Sequence, residues 1–212
     1  LYLAARKSSD LENFTNDINL RYDKKSEHLD FDVLDYKSHK NFYDSLSVKP
    51  IGVISVIGYL GEQIIAQTNF DETQKIMETN YSGVISILNI IANDFEEKKT
   101  GFIVGICSVA GDRGRSSNFI YGSAKAALIA YLSGLRNRLF KSNIHVMTVK
   151  PGFVATKMTE GLDLPAMLTA QPSDVAQDIY KGQQRKKNII YTRWYWRWIM
   201  LIIKFIPEFQ FK

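Results

Sequence analysis

Tyr121 and Lys125 stand four positions apart in Tyr121-Gly122-Ser123-Ala124-Lys125, and Ser108 lies thirteen positions before the tyrosine. On a helix, residues four apart share a face, one turn from each other. A tyrosine ordinarily titrates near ~10, too high to exchange protons readily at neutral pH. An ammonium held beside the phenol favours the phenolate and lowers that value. A serine hydroxyl next to the phenol can hold a carbonyl or alcohol oxygen in place. Ser, Tyr and Lys in this relation form a proton-transfer device for interconverting a carbonyl and an alcohol.

The elements that must position these groups are legible around them. Residues 102–106 form a short apolar run rich in β-branched side chains, bounded by Gly101, and predict a buried strand. Ser108 falls at its carboxyl end. A polar loop with glycines covers 111–118, and an apolar-periodic helix is predicted over 119–141, so Tyr121 lies in its first turn. In open α/β sheets ligands bind outside the carboxyl ends of the strands, which is where Ser108 falls. Further strands are predicted at 1–5, 28–31, 51–57, 144–149 and 188–191. Further helices are predicted at 8–22, 37–46, 72–98, 173–185 and 193–206. Alternating strands and helices imply a doubly wound, Rossmann-like α/β fold: a parallel sheet with helices on both faces.

At 212 residues, 45% of them hydrophobic and 23% charged, the chain is long enough for a substantial core. Residues 1–192 read as one domain and 193–212 as a C-terminal aromatic and basic helix. The net charge of +5 is mildly basic. It is compatible with an anionic cofactor, a phosphorylated substrate or an acidic membrane surface. No basic stripe with interleaved aromatics points to nucleic acid. The single cysteine, Cys107, forms no internal disulfide, which suits a reducing, cytoplasmic setting. Three scattered histidines and one cysteine give a metal site little support.

With these residues in hand, the chain resembles the short-chain dehydrogenase/reductase family, over residues 1 to about 192. Ser108, Tyr121 and Lys125 match its catalytic signature, and Asn80 in Thr79-Asn80-Tyr81-Ser82-Gly83 matches its helix asparagine. Pro151-Gly152-x-Val154-x-Thr156 follows a predicted strand where the family places its cofactor-contacting PG loop. Asp32-Val33 follows another, where the family has an acid and a backbone amide against adenine. The resemblance implies NAD(P)-dependent hydride transfer at a ketone or alcohol carbon. Tyr121 is then the proton donor, Lys125 lowers its pKa and bonds the nicotinamide ribose, and Ser108 orients the carbonyl. Asn80 holds a water that links Lys125 to solvent, and Thr156 reaches the carboxamide or phosphate region. Arg6, just past the first strand, suits a 2′-phosphate and favours NADP(H) over NAD(H); an exposed basic pair, Arg6-Lys7, is the alternative. Relatives pair through their two long helices, here 72–98 and 119–141, which implies a homodimer or homotetramer.

The chain departs from the family in two places. The family's NNAG segment is replaced by Ser55-Val56-Ile57-Gly58, of which Gly58 alone matches. The family's opening strand, Gly-rich turn and helix, which cradle the pyrophosphate, have no counterpart here, so the expectation is a chain lacking its N-terminal βα unit.

The segment from Arg193 to Pro207 is crowded with aromatic and aliphatic residues, interrupted by Arg197 and Lys204. Trp and Tyr beside Arg and Lys favour a membrane interface; a helix packed on the core or on another subunit is the alternative. The tail, the segment from Cys107 to Ser123 and Asp30-Phe31-Asp32 are similar to the decaprenylphosphoryl-2-keto-ribose reductases, which work with a flavin oxidase partner. That branch implies a lipid-linked sugar substrate, cell-envelope synthesis and a peripheral location at the inner face of the membrane. Within the substrate-facing loop, Asp112, Arg113 and Arg115 are candidates to meet an anionic group, or are simply solvated. A soluble reductase of small ketones or 3-oxoacyl thioesters, and a non-enzymatic dinucleotide-sensing scaffold, remain as rival readings.

Overall fold

A computed structural model describes residues 1–22 and 25–211. The chain falls into two compact units, Leu1–Lys49 and Pro50–Lys212.

In the first unit, strand β1 (Tyr2–Ala5) is followed by a short 3-10 turn (Ser8–Leu11), helix α1 (Glu12–Tyr22), strand β2 (Glu27–Asp30) and helix α2 (His39–Ser45). β1 and β2 pair in parallel, with Leu3 opposite His28 and Ala5 opposite Asp30. Small polar groups hold α1 to β2. Thr15 Oγ1 donates to the Glu12 carbonyl at 2.8 Å and lies 3.2 Å from His28 Nδ1. Ser26 Oγ donates to the Thr15 carbonyl at 2.9 Å.

The second unit carries a four-stranded parallel sheet in the order β3 (Gly52–Ser55), β4 (Phe102–Ile106), β5 (His145–Lys150) and β8 (Ile189–Tyr191). Between β3 and β4 run α3 (Gln63–Ala66), α4 (Phe70–Met77), a π-turn (Glu78–Ser82) and α5 (Gly83–Lys98). Helix α6 (Phe119–Leu139) joins β4 to β5. After β5 a two-stranded piece pairs β6 (Phe153–Val154) with β7 (Thr169–Ala170), and α7 (Pro172–Gln184) leads into β8. The chain continues through α8 (Tyr195–Phe205) and α9 (Glu208–Phe211).

The inner strands β4 and β5 are near-continuously apolar because both of their faces are covered, whereas Ile54 of β3 is half exposed. Ile103, Val104, Val146, Met147 and Val149 are fully buried. Leu88, Ala92 and Phe95 of α5 and Leu128, Leu132 and Leu139 of α6 are buried with them. α6 is tied to the sheet by Arg136, whose guanidinium donates to the Val146 carbonyl and Thr148 Oγ1, each at 2.7 Å. This Rossmann-like α/β arrangement is the expected one, with bounds shifted by one to three residues at most strands and helices. The expected continuous helix over 72–98 is instead two helices joined by the π-turn.

Candidate functional site

Ser108 leaves the carboxyl end of β4 in extended geometry and caps a 3-10 turn, Val109–Gly111, by accepting from the Ala110 N–H at 3.1 Å. That turn lies flat on the first turns of α6, and two glycines permit it. A Cβ on Gly122 would stand 2.8 Å from the Ala110 carbonyl oxygen, and one on Gly111 would stand 2.8 Å from the Ala126 nitrogen. Any larger residue at either place would push Ser108 away from Tyr121. Gly122, between the tyrosine and the lysine, is thus a packing requirement.

Lys125 is buried. Its ammonium donates to the carbonyls of Ile57 at 3.3 Å and Ile106 at 3.2 Å, bridging the ends of β3 and β4. Burial pulls its pKa down to about 8. Tyr121 behaves differently from the expectation drawn from the Tyr–Lys spacing. Burial pushes its phenol up to about 12, and the Ser108 hydroxyl opposes that shift. The reason is geometric: the lysine ammonium faces two backbone carbonyls and sits 5.7 Å from the centre of the tyrosine ring. Neighbouring Cys107 is buried and its thiol is pushed to about 12, so it is packed and unreactive.

Asn80 occupies the middle of the π-turn and is fully buried. Its amide nitrogen donates to the carbonyls of Tyr59 at 2.6 Å and Ile76 at 2.8 Å, and its oxygen accepts from the Tyr59 N–H at 3.2 Å. The side chain therefore grips the segment after β3, the same segment whose Ile57 carbonyl receives Lys125. Between them lies Gly58, where a Cβ would come 3.4 Å from Asn80 Oδ1 and 3.6 Å from Lys125 Nζ. The Ser55-Val56-Ile57-Gly58 replacement keeps this opening. The π-turn escaped the sequence reading, although a signal existed: Ile76, Asn80, Val84, Leu88 and Ala92 are all buried and recur every four residues. A regular helix, at 3.6 residues per turn, cannot keep that spacing on one face for long.

Pro151 and Gly152 follow β5, with the Val109 N–H donating to the Pro151 carbonyl at 3.0 Å. Val154 lies in β6. Thr156 caps the next 3-10 turn reciprocally with Thr159 and lines a groove of about 550 Å³ with Lys157, Glu160 and Leu162. In the first unit, Arg6 is exposed and lines a separate cleft of about 550 Å³ together with Asp30, Asp32 and Asn41. The Asp32 carboxylate accepts from the Leu34 N–H at 2.9 Å, and Val33 is buried. The cationic Arg6 in the cleft of the first unit has the chemistry to meet an anionic part of a dinucleotide.

Three loop charges expected to face the substrate are engaged elsewhere. Asp112 is buried in an ion pair with Lys150 at 2.5 Å and accepts from the Tyr191 hydroxyl at 2.6 Å. Arg113 donates to the carbonyls of Ile203 and Ile206, both at 2.5 Å, and pairs with Glu208 at 2.9 Å. Arg115 reaches Met200 Sδ at 3.4 Å. None of these partners lies near its loop in sequence, which is why local reading missed them.

The tail packs on the core, one of its two expected descriptions. Trp196 and Met200 of α8 are buried against Val109, with Phe153, Leu168 and Tyr191 around them. On the opposite side Trp194, Trp198, Ile202 and Phe205 are exposed. No helix among the described residues is long and apolar enough to cross a membrane.

Comparison with known proteins agrees with this fold. A family model described as short chain dehydrogenase matches residues 1–165. This chain belongs to the short-chain dehydrogenase family. It is 32% identical over 186 residues to an uncharacterized oxidoreductase of Mycobacterium tuberculosis, covering 86% of this chain and 74% of the relative. It is 28% identical over 204 residues to an NADP-dependent 3-hydroxy acid dehydrogenase of Schizosaccharomyces pombe, covering 90% and 79%. Among solved structures, a short-chain dehydrogenase from Sphingobium yanoikuyae in complex with NADPH superposes with a TM-score of 0.83. It is 20% identical, and the match covers 98% of this chain and 87% of that one. The protein is thus an NAD(P)-dependent dehydrogenase/reductase by family.

Proposed function

We propose that this protein reduces a ketone to a secondary alcohol with NADPH, using Tyr121 as proton donor. The observation that carries this reading is the placement of Ser108, Tyr121 and Lys125 around the carboxyl end of β4, with both glycines of close approach in place. NADPH, when bound, supplies the hydride. A phenol held at about 12 stays protonated at neutral pH and is ready to give its proton to a developing alkoxide. Lys125, held at about 8, can change its charge near neutral pH and so can follow the proton that leaves the phenol. Ser108 orients the carbonyl oxygen. Asn80 fixes the 57–59 segment on which Lys125 hangs. Arg6 takes the 2′-phosphate, with the Asp32 and Val33 segment against adenine; Pro151, Gly152, Val154 and Thr156 contact the cofactor near its nicotinamide end.

The exposed aromatic face of α8, flanked by Arg197 and Lys204, favours one substrate class in particular. A polyprenyl-phosphate-linked keto-sugar would lay its lipid against Trp198 and Phe205 and its phosphate near the cations. Two experiments test the reading. NADPH oxidation is measured with a panel of ketones, including lipid-linked keto-sugars, for the wild type and Tyr121→Phe. The substitution should lower kcat/KM by about 10²–10⁴-fold while leaving NADPH affinity in place. A variant as active as the wild type overturns the assignment. Activity on small ketones alone, unchanged when the outer face of α8 is made polar, removes the lipid substrate and leaves the reductase.

A further inference from the structure

α8 is wedged behind the two chain segments that frame the reacting groups. Trp196 lies against Gly152 so closely that a Cβ there would fall 1.9 Å from its indole ring. The same indole meets the Phe153 ring edge-on at 5.2 Å and shares a buried cluster with Val109, the residue after Ser108. One helix therefore backs both the Ser108 turn and the Pro151–Gly152 turn. Those two turns are also joined to each other, through the Val109 N–H and the Pro151 carbonyl and through the buried Lys150–Asp112–Tyr191 cluster.

Arg113 holds this helix in place. The last carbonyls of a helix have no partner within it. Arg113 supplies one from outside: its guanidinium donates to the Ile203 and Ile206 carbonyls, pairs with Glu208 and lies 3.8 Å from the centre of the Phe211 ring. A cation at a helix C-terminus also meets the negative end of its dipole. The Arg113 side chain is 14% exposed, so its bonds to the two carbonyls are sheltered, while Glu208 is 82% exposed and adds little. The donor comes from the loop that begins at Ser108, two residues beyond the 3-10 turn lying on α6.

We propose that Arg113 is a positioning residue: its grip on the C-terminal end of α8 holds the Ser108 turn and the Pro151–Gly152 turn in register for reduction. The idea rests on the reading of those turns as parts of the reductase site. Arg113 itself faces away from the reacting groups and toward the tail. Loss of the grip loosens both turns together while the sheet, α5 and α6 keep their own core.

The test is hydrogen exchange on the full chain, wild type against Arg113→Ala, with NADPH-dependent reduction of the best ketone measured in parallel. Exchange should rise in 195–211 and also in 108–118 and 151–156, and kcat should fall about ten- to a hundredfold with little change in the KM for NADPH. Arg113→Lys should fall between the two, because an ammonium cannot fork across two carbonyls and a carboxylate. It also serves as the variant to use if Arg113→Ala does not fold. Ile202→Gln, on the exposed face of α8, should leave exchange in both turns unchanged. Exchange that rises in 195–211 alone would show an anchor for the tail and nothing more, and overturns the proposal. If the wild type reduces no ketone at all, the reductase reading fails, and the exchange pattern still decides whether Arg113 couples the tail to the turns.

Discussion

The two compact units are filled with different material. In Pro50–Lys212 the largest fully buried side chains include Phe95, Ile76, Leu88, Ile103, Leu128, Leu132 and Met147, all hydrocarbon or thioether. In Leu1–Lys49, among the described residues, the buried apolar side chains are Val33 and Tyr43, and Ser8, Thr15, Ser26 and His39 are buried beside them. Apolar burial contributes about 25 cal/mol per Å², whereas a typical hydrogen bond contributes only about 1 kcal/mol net. The unit that carries Tyr121 and Lys125 is therefore set in a stiff apolar frame. The unit that carries Arg6 is held by polar contacts such as Ser26 to Asn19 and Thr15 to His28. Proton transfer needs fixed geometry to a fraction of an ångström, while recognition of a phosphate by a long arginine tolerates movement.

That contrast can be broken by substitution. The largest effect is expected in the apolar frame: Leu128→Ala, at a buried position of α6 three residues after Lys125, should cost about 2–5 kcal/mol in a urea melt. A loss under 1 kcal/mol would mean that the frame is looser than its burial implies. Next comes the charge held within it. Lys125 titrates near 8 in the folded chain against an ordinary 10.5, so its buried ammonium destabilises the fold by on the order of 3 kcal/mol at pH 7. Between those two values the unfolded chain binds more protons, so stability rises with pH as the penalty lifts. Lys125→Met should thus be inactive yet more stable than the wild type at pH 7, with the advantage shrinking from pH 8 to 10.5. Paired melts at pH 7 and pH 10 check this, and an advantage independent of pH would contradict it. The smallest effect belongs to the polar unit. Arg6→Ala should raise the KM for NADPH by about tenfold, or ~1.4 kcal/mol, and leave that for NADH unchanged. Equal effects on the two cofactors would show that Arg6 reads no phosphate.

Much of this was legible in the residues. β4 runs over Phe102–Ile106 as predicted, because a both-faces-buried strand is apolar throughout and Gly101 marks where it begins. α6 begins at Phe119 as expected, and Ser108 is where the pattern of a strand-end serine puts it. What was not legible depends on distant partners. Asp112, Arg113 and Arg115 read as free loop charges because Lys150, Glu208 and Met200 are far along the chain. The short pairing of Phe153–Val154 with Thr169–Ala170 carries too few residues to show a period. The raised phenol of Tyr121 follows from burial and from where the Lys125 ammonium points, and neither is written in a spacing of four.

The π-turn at Glu78–Ser82 has a consequence for how this chain tolerates change in length. It absorbs one residue more per turn than the helices on either side, so it acts as a phase adjuster between Phe70–Met77 and Gly83–Lys98. Ile76 upstream and Val84 and Leu88 downstream all reach the interior with that extra residue present. Deleting a single residue within Glu78–Ser82 would let the stretch close into a regular helix that keeps Ile76 and Val84 on one face, and the loss would fall on Asn80, whose place belongs to the wider turn. The interior stripe can thus survive a one-residue change in length here, while the grip of Asn80 on Tyr59 cannot.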